Sequence, residues 1–161
     1  MASKEPSTVC EMLKNEMKTL QLSTVGENGE PHCGYTPYIV DGATLVVFVS
    51  QLAVHTRDML STSQAAAMII TDEQSTGNLF ARCRVSYQCK TEQVEITDPE
   101  YTPLLDRYHE RHGKMVALLR QLPDFVLIRL APYSGQFVMG FGKAYRLEGE
   151  KLDSFVHART G

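Results

Sequence analysis

Arg82, Arg84, His55 and the pair His109/His112 carry the side chains of this sequence best suited to chemistry. In "LFARCRVSYQCK", residues 79–90, strand alternation puts Leu79, Ala81, Cys83, Val85, Tyr87 and Cys89 on one face. The other face then carries Phe80, Arg82, Arg84, Ser86 and Gln88. Two neighbouring guanidinium groups repel each other unless something negative lies between them. Either acidic residues of an adjacent strand pair with them, or they form an anion clamp, since the guanidinium fork matches carboxylate and phosphate geometry.

His55 lies in "SQLAVHTRDM", at the junction of a predicted strand and helix. It reads either as a surface or capping histidine or as an anion or cofactor contact. His109 and His112 stand three apart in "RYHERHGK", a spacing that can put two metal ligands on one helical face. No carboxylate or third histidine completes a metal motif, and Arg107, Arg111 and Lys114 beside them would repel a cation. A solvated helix face is expected there, and no metal site. "GFGKA" (140–144) follows a strand but precedes no helix, so the dinucleotide and phosphate-loop fingerprints both fail. Gly135, Gly140 and Gly142 read instead as kinks or close backbone approaches. No nucleophile elbow surrounds any serine.

With 161 residues, the chain fits one domain that buries about 68–70% of its unfolded surface. A net charge of -3 gives no electrostatic reason to expect nucleic acid or an anionic membrane as partner. The start, "MASKEPSTVCEMLKNEMK", has no apolar core of a signal peptide, so a cytoplasmic protein is expected. Cys10, Cys33, Cys83 and Cys89 show no zinc-like spacing and read as free thiols.

The elements that must position these residues follow from periodicity. Thr8-x-x-Glu11 has the form of a capping box, and Val9, Met12, Leu13, Met17 and Leu20 continue a helical stripe, giving an N-terminal helix within 1–20. Strands follow at "LSTV", "CGYTPYIV" and "TLVVFVS", divided by Asn28-Gly29 and Asp41-Gly42 turns. "LAVHTRDMLSTSQ" reads as a short helix and "AAAMIITD" as a strand. The strand from Leu79 runs on toward "KTEQVEIT", where Glu92, Glu95, Asp98 and Glu100 make an exposed acidic stretch. Asp98-Pro99 opens a helical region that Pro103 and Gly113 interrupt. "DFVLIRLAP", "GQFVMGFG" and "AYRLEG" are three further strands, and 151–161 reads as a terminal helix or tail. Six or seven short strands with peripheral helices predict a mainly β fold, a small antiparallel barrel over residues 21–150, with a β-sandwich as the competing architecture.

Five segments in this order, "KTLQLSTVGENGEPHCGYTPYIV", "HTRDM", "LFARCRV", "LPDFVLIRL" and "FVMGFGKAY", resemble the FMN-binding split barrels of the pyridoxamine 5'-phosphate oxidase-like superfamily. More narrowly, they resemble its haem-utilisation proteins of the HutZ/HugZ type, from about Leu13 to Val156. The resemblance implies a split-barrel homodimer with haem near the subunit interface, and oxidative opening of the porphyrin with an unknown electron donor, for iron acquisition. It puts Arg84 on the distal side of the haem and Arg82 at a propionate or in the fold. Asp124 in "LPDF" matches a family aspartate that hydrogen-bonds the proximal histidine from across the dimer. The family's axial histidine lies just after a segment resembling "FVHARTG", where this sequence reaches Gly161; His157 precedes that position and is a poor substitute. Flavin-binding relatives commonly carry a phosphate-gripping lysine where His55 stands, and the flavin strand motif "R-Q-V-R-V" appears here as "ARCRV". Both departures favour haem over FMN. An FMN-dependent oxidoreductase and a non-enzymatic haem carrier are the alternatives.

Overall fold

The computed structural model describes residues 4–158; the first three residues and the last three of the expected tail lie outside the described residues. In chain order the elements are α1 (Pro6–Glu16), β1 (Thr19–Val25), β2 (Pro31–Pro37), β3 (Ile39–Asp41), β4 (Thr44–Ser50) and α2 (Val54–Thr62). Then come β5 (Gln64–Ile70), a 3-10 turn (Leu79–Ala81), β6 (Arg84–Val94), α3 (Tyr101–His112) and α4 (Met115–Leu119). The chain closes with β7 (Phe125–Gly140), β8 (Lys143–Glu148) and β9 (Ser154–His157). All nine strands join one antiparallel hydrogen-bonded sheet in the order β2-β1-β5-β6-β7-β4-β3, with β8 on β7 and β9 on β8. The predicted antiparallel β architecture with peripheral helices is therefore present, and the two separate sheets of a sandwich are not. Among the described residues no helix is long and apolar enough to cross a membrane.

Alternation decides which face each strand buries. Leu20 and Leu22 of β1, Ala65, Ala67 and Ile69 of β5, Val85, Tyr87 and Cys89 of β6 and Phe137 of β7 point into one core, with Cys10 and Leu13 of α1 and Met59 of α2 packed on it. β4 is buried on both sides: Leu45, Val47 and Val49 join that core, while Val46 and Phe48 join a second one with Leu104, Leu105 and Tyr108 of α3 and Val116 of α4. Each Val, Leu, Ile, Phe or Met among these contributes about 1.5–3 kcal/mol on burial. Opposite the first core, Gln21, Ser23, Ala66, Met68, Ser86 and Gln136 lie side by side in register on a sheet face without a helix over it.

Several expected boundaries move, each for a local reason. α1 starts at Pro6, where the fixed proline φ suits the first helical position, rather than at the Thr8 capping box; Glu5 is its N-cap without a side-chain bond. Pro103 sits in the first turn of α3, where no hydrogen bond is lost, so only Gly113, with φ 87, divides the helical region. The two strands expected around Pro132 are one 16-residue strand, because the ladder with β6 accommodates the proline at a register shift between Gln88 and Cys89. The terminal segment expected as helix or tail forms β9, paired with β8 from Tyr145 to Glu148. The segment 79–83 is not strand: Asn78 accepts a hydrogen bond from Phe80 and closes the 3-10 turn, so β6 begins only at Arg84.

Gly135 marks a close approach, as expected of a glycine inside a strand. A Cβ there would stand 2.9 Å from Leu147 Cδ1 and 3.0 Å from Tyr87 Cδ1. Gly135→Ala should lower stability by about 1–3 kcal/mol through overpacking. A urea unfolding midpoint equal to wild type would show that β8 can shift to admit the methyl group.

Candidate functional site

A groove of about 340 Å³ opens between β2, the end of β4, the start of α2 and the α3–α4 pair, lined by Tyr35, Phe48, Ser50, His55, Tyr108, His112 and Phe125 among others. No lysine or arginine lines it. Around it Tyr35, Leu52, Met115 and Leu118 are exposed, an apolar rim at the surface of a single chain.

His55 enters this groove from the first turn of α2. It packs against the backbone of β2, where a Cβ on Gly34 would stand 2.8 Å from His55 Cδ2, so only glycine leaves room for the ring. Nδ1 lies 3.3 Å from Thr56 Oγ1, while Nε2 has no hydrogen-bond partner among the described residues. Burial holds the His55 pKa below its ordinary value, against the opposing pull of Asp58. The ring is therefore mostly neutral at pH 7. His112 donates from Nε2 to the Tyr38 carbonyl at 2.8 Å, and burial lowers its pKa as well. Neither histidine supplies the permanent cation that a phosphate needs.

Asp58 fixes α2 on the β1–β2 hairpin. Its carboxylate accepts from Thr24 Oγ1 at 2.8 Å and from His32 Nδ1 at 2.7 Å, and the residue is only 6% exposed. Burial would raise its pKa, but the Thr24 and His32 hydrogen bonds prevail and hold it below the ordinary value. Asp124 anchors the other side of the same turn: Ser50 Oγ donates to its Oδ2 at 2.5 Å, and the Gln51 amide to its carbonyl at 2.7 Å. His55 and Asp124 thus share one end of the sheet.

Arg82 and Arg84 lie at the other end. Arg82 follows the 3-10 turn, outside the strand; its Nε donates to the Thr71 carbonyl at 2.5 Å and its guanidinium stands 3.6 Å from Glu73. The two guanidinium groups therefore do not sit as neighbours on a strand face, and the acid nearest Arg82 is Glu73 of the loop after β5 rather than a residue of an adjacent strand. Arg84 opens β6 opposite Ile70 and Val138, and its Nη1 donates to the Arg82 carbonyl at 2.9 Å. Leu79, Phe80 and Phe141 are exposed beside it, Phe80 at 93%. Arg84's partner Val138 and Asp124's neighbour Phe125 stand near opposite ends of β7. At about 3.3 Å per residue that is a contour of roughly 40 Å along the strand.

His157 donates from Nε2 to the Gly142 carbonyl at 3.0 Å and rests edge-on against Tyr145, a hairpin contact within β9 and β8. No cluster of three metal-ligating side chains occurs among the described residues. The solvated face expected for His109 and His112 does not hold for His112, which is half-buried against Tyr108 at 4.6 Å between ring centroids. The cysteines are free: Cys10 and Cys89 buried, Cys83 half-buried, Cys33 exposed. Sequence reasoning missed Gly34, Ser50 and Asp58. Two of them had a signal: a glycine inside the strand pattern "CGYTP", and an aspartate three residues after His55 in a short helix.

The profile of the pyridoxamine 5'-phosphate oxidase family matches residues 9–139. The chain belongs to that family. Within it, the chain is 37% identical over 148 residues to the heme oxygenase HutZ of Vibrio cholerae, covering 92% of this chain and 84% of that protein. The crystal structure of Vibrio cholerae HutZ, there described as a heme storage protein, superposes with a TM-score of 0.76 at 32% identity, over 80% of this chain and 91% of that one. Campylobacter jejuni ChuZ shares the fold at a TM-score of 0.84 and 21% identity, over 98% of this chain and 64% of that one. Among family members, this chain is therefore of the HutZ type.

Two changes test the geometry. Gly34→Ala should displace the His55 ring, shifting its Cε1–Hε1 NMR signal and costing about 1–3 kcal/mol; an unmoved signal would remove Gly34 as its seat. Because the Asp58 pKa is lower folded than unfolded, its contribution is whole above about pH 5 and fades as pH falls through the folded value. Asp58→Asn should therefore lower stability more at pH 7 than at pH 3. An equal loss at both would mean that charge on Asp58 is not what holds α2.

Proposed function

We propose that two copies of this chain bind haem between them and open the porphyrin oxidatively, in the cytoplasm, with electrons from an unidentified donor. The observation that carries this reading is the separation of Arg84 from Asp124 along β7, which a second copy in antiparallel arrangement can close. The uncovered sheet face next to Arg84 and the apolar rims at both ends are surfaces such a pairing would bury. Support for haem comes from HutZ, described as a heme oxygenase at 37% identity.

The groove fits this ligand better than FMN. Its walls are aromatic and aliphatic, its histidines are mostly neutral, and it offers no cation for a phosphate. When bound, haem would supply the iron that activates oxygen. Arg84 of one copy would place a guanidinium beside the bound group, Asp124 of the other would orient, through its carboxylate, a residue that holds it, and Ser50 would hold that carboxylate still. His55 would pack against the edge of the macrocycle from its seat on Gly34, and Arg82 would serve the fold or a propionate.

A second reading is a haem carrier without turnover, favoured by the description of the HutZ crystal structure as a heme storage protein. Titration with haemin, followed by reductant in air, separates the two. Oxidative opening predicts a Soret band that bleaches to a bilin-like spectrum, slowed about 10–100-fold by Asp124→Asn with a smaller loss of binding. Arg84→Ala should slow it too. Mixing the two variants under conditions that exchange subunits should recover part of the wild-type rate, since one site of each hybrid is intact. A stable Soret band in wild type would support the carrier, and variants that mix without recovery would overturn the shared site.

A further inference from the structure

Tyr87 takes no part in the site above. Its ring is 6% exposed, pressed against Gly135, and its hydroxyl has one hydrogen-bonding neighbour among the described residues, the Cys10 thiol at 4.0 Å. That distance is the outer limit of a sulfur contact, so the hydroxyl is buried without a firm partner. Buried polar groups are rarely left so.

Both groups border a cavity of about 140 Å³ enclosed by α1, the β3–β4 turn and the β8–β9 turn. It shares no lining residue with the His55 groove. Leu45, Leu152 and Phe155 supply apolar wall. Its size is close to that of an apolar cavity of about 150 Å³ that holds benzene. Three acids, Glu11, Glu150 and Asp153, outnumber the two lysines, and Lys14 Nζ is already bound by Glu11 at 2.5 Å. This lining disfavours an anion. Burial pushes the Cys10 thiol up to about 11 and raises the Tyr87 phenol as well, so both stay neutral donors.

The cover is the turn from Gly149 to Asp153. Leu152, which lines the cavity, has φ 53, a left-handed conformation that a leucine side chain resists.

We propose that this cavity is a binding site for a small neutral molecule of about benzene size carrying one hydroxyl or carbonyl, which hydrogen-bonds Tyr87 and Cys10. The site is independent of haem binding. The test is a 19F NMR titration of the whole chain with 4-fluorophenol. Wild type should shift and broaden the signal, unlabelled phenol should reverse this, and 4-fluorobenzoate should give no effect. Tyr87→Phe should weaken binding about fivefold, the worth of one neutral hydrogen bond, and Cys10→Met should abolish it by filling the space. Near-UV circular dichroism checks that each variant keeps its packing; should Cys10→Met lose it, Tyr87→Phe decides. No shift with wild type, equal binding by the benzoate, or unchanged affinity in the folded variants would each overturn the site.

Discussion

Strand β7 is the constraint on which the rest of the structure depends. Phe125 to Leu130 pair with β4, Leu127 to Val138 with β6, and Gly135 to Gly140 with β8, so it bridges three strands. A strand cannot be stretched, and its rise sets an upper limit on the distance between what lies at its two ends. Pro132 survives in its middle because the ladder slips there, which bends the strand without cutting it. Both cores are built on this strand: Ile128, Leu130 and Phe137 belong to the first, and Leu127 to the second.

Helices are tied to that frame by charge as much as by packing. Arg129 of β7 donates to Asp41 at 2.6 Å and to Glu100 at 2.7 Å, and Arg107 of α3 donates to Asp41 at 2.9 Å. The Arg129 hydrogen bond is the main reason the Asp41 carboxyl sits below its ordinary pKa. Asp58 does the same for α2, on the opposite side of the groove. The groove is thus held between two clamped helical elements, and Ser50 and Asp124 close the turn between them.

Much of this was legible in the sequence because local signals and burial agree. β1, β4 and β5 lie near where the apolar runs and the Asn-Gly and Asp-Gly turns put them, and α2 lies where its pattern puts it, but Leu20 belongs to β1 rather than to the N-terminal helix and "CGYTPYIV" divides at Tyr38 into β2 and β3. The failures cluster where a long-range partner overrides a local rule. A proline reads as a strand end until a bulge absorbs it, and "DSFVHA" reads as helix until β8 offers it a ladder. "LFARC" alternates like a strand but has no room in the ladder before Arg84, so its two arginines part company. The family likeness was carried by motif order, and the likeness pointed to Arg84 and Asp124. Their separation along one strand was not legible, because sequence distance says nothing of which strand lies between two residues. Gly34 is the converse case: its local signal was present, but its partner His55 lies across the fold.

The sheet order also governs how the chain comes off the ribosome. β4 ends at Ser50 and β6 at Val94, yet both flank β7, which is finished only at Gly140. Until β7 emerges, the edges of β4 and β6 that it will cover stand open, and Val46 and Phe48 have no Leu127 to pack against. Open edges and uncovered apolar side chains are what chaperones bind and aggregates grow from. The time of greatest risk for this protein is therefore the interval of synthesis between β6 and β7.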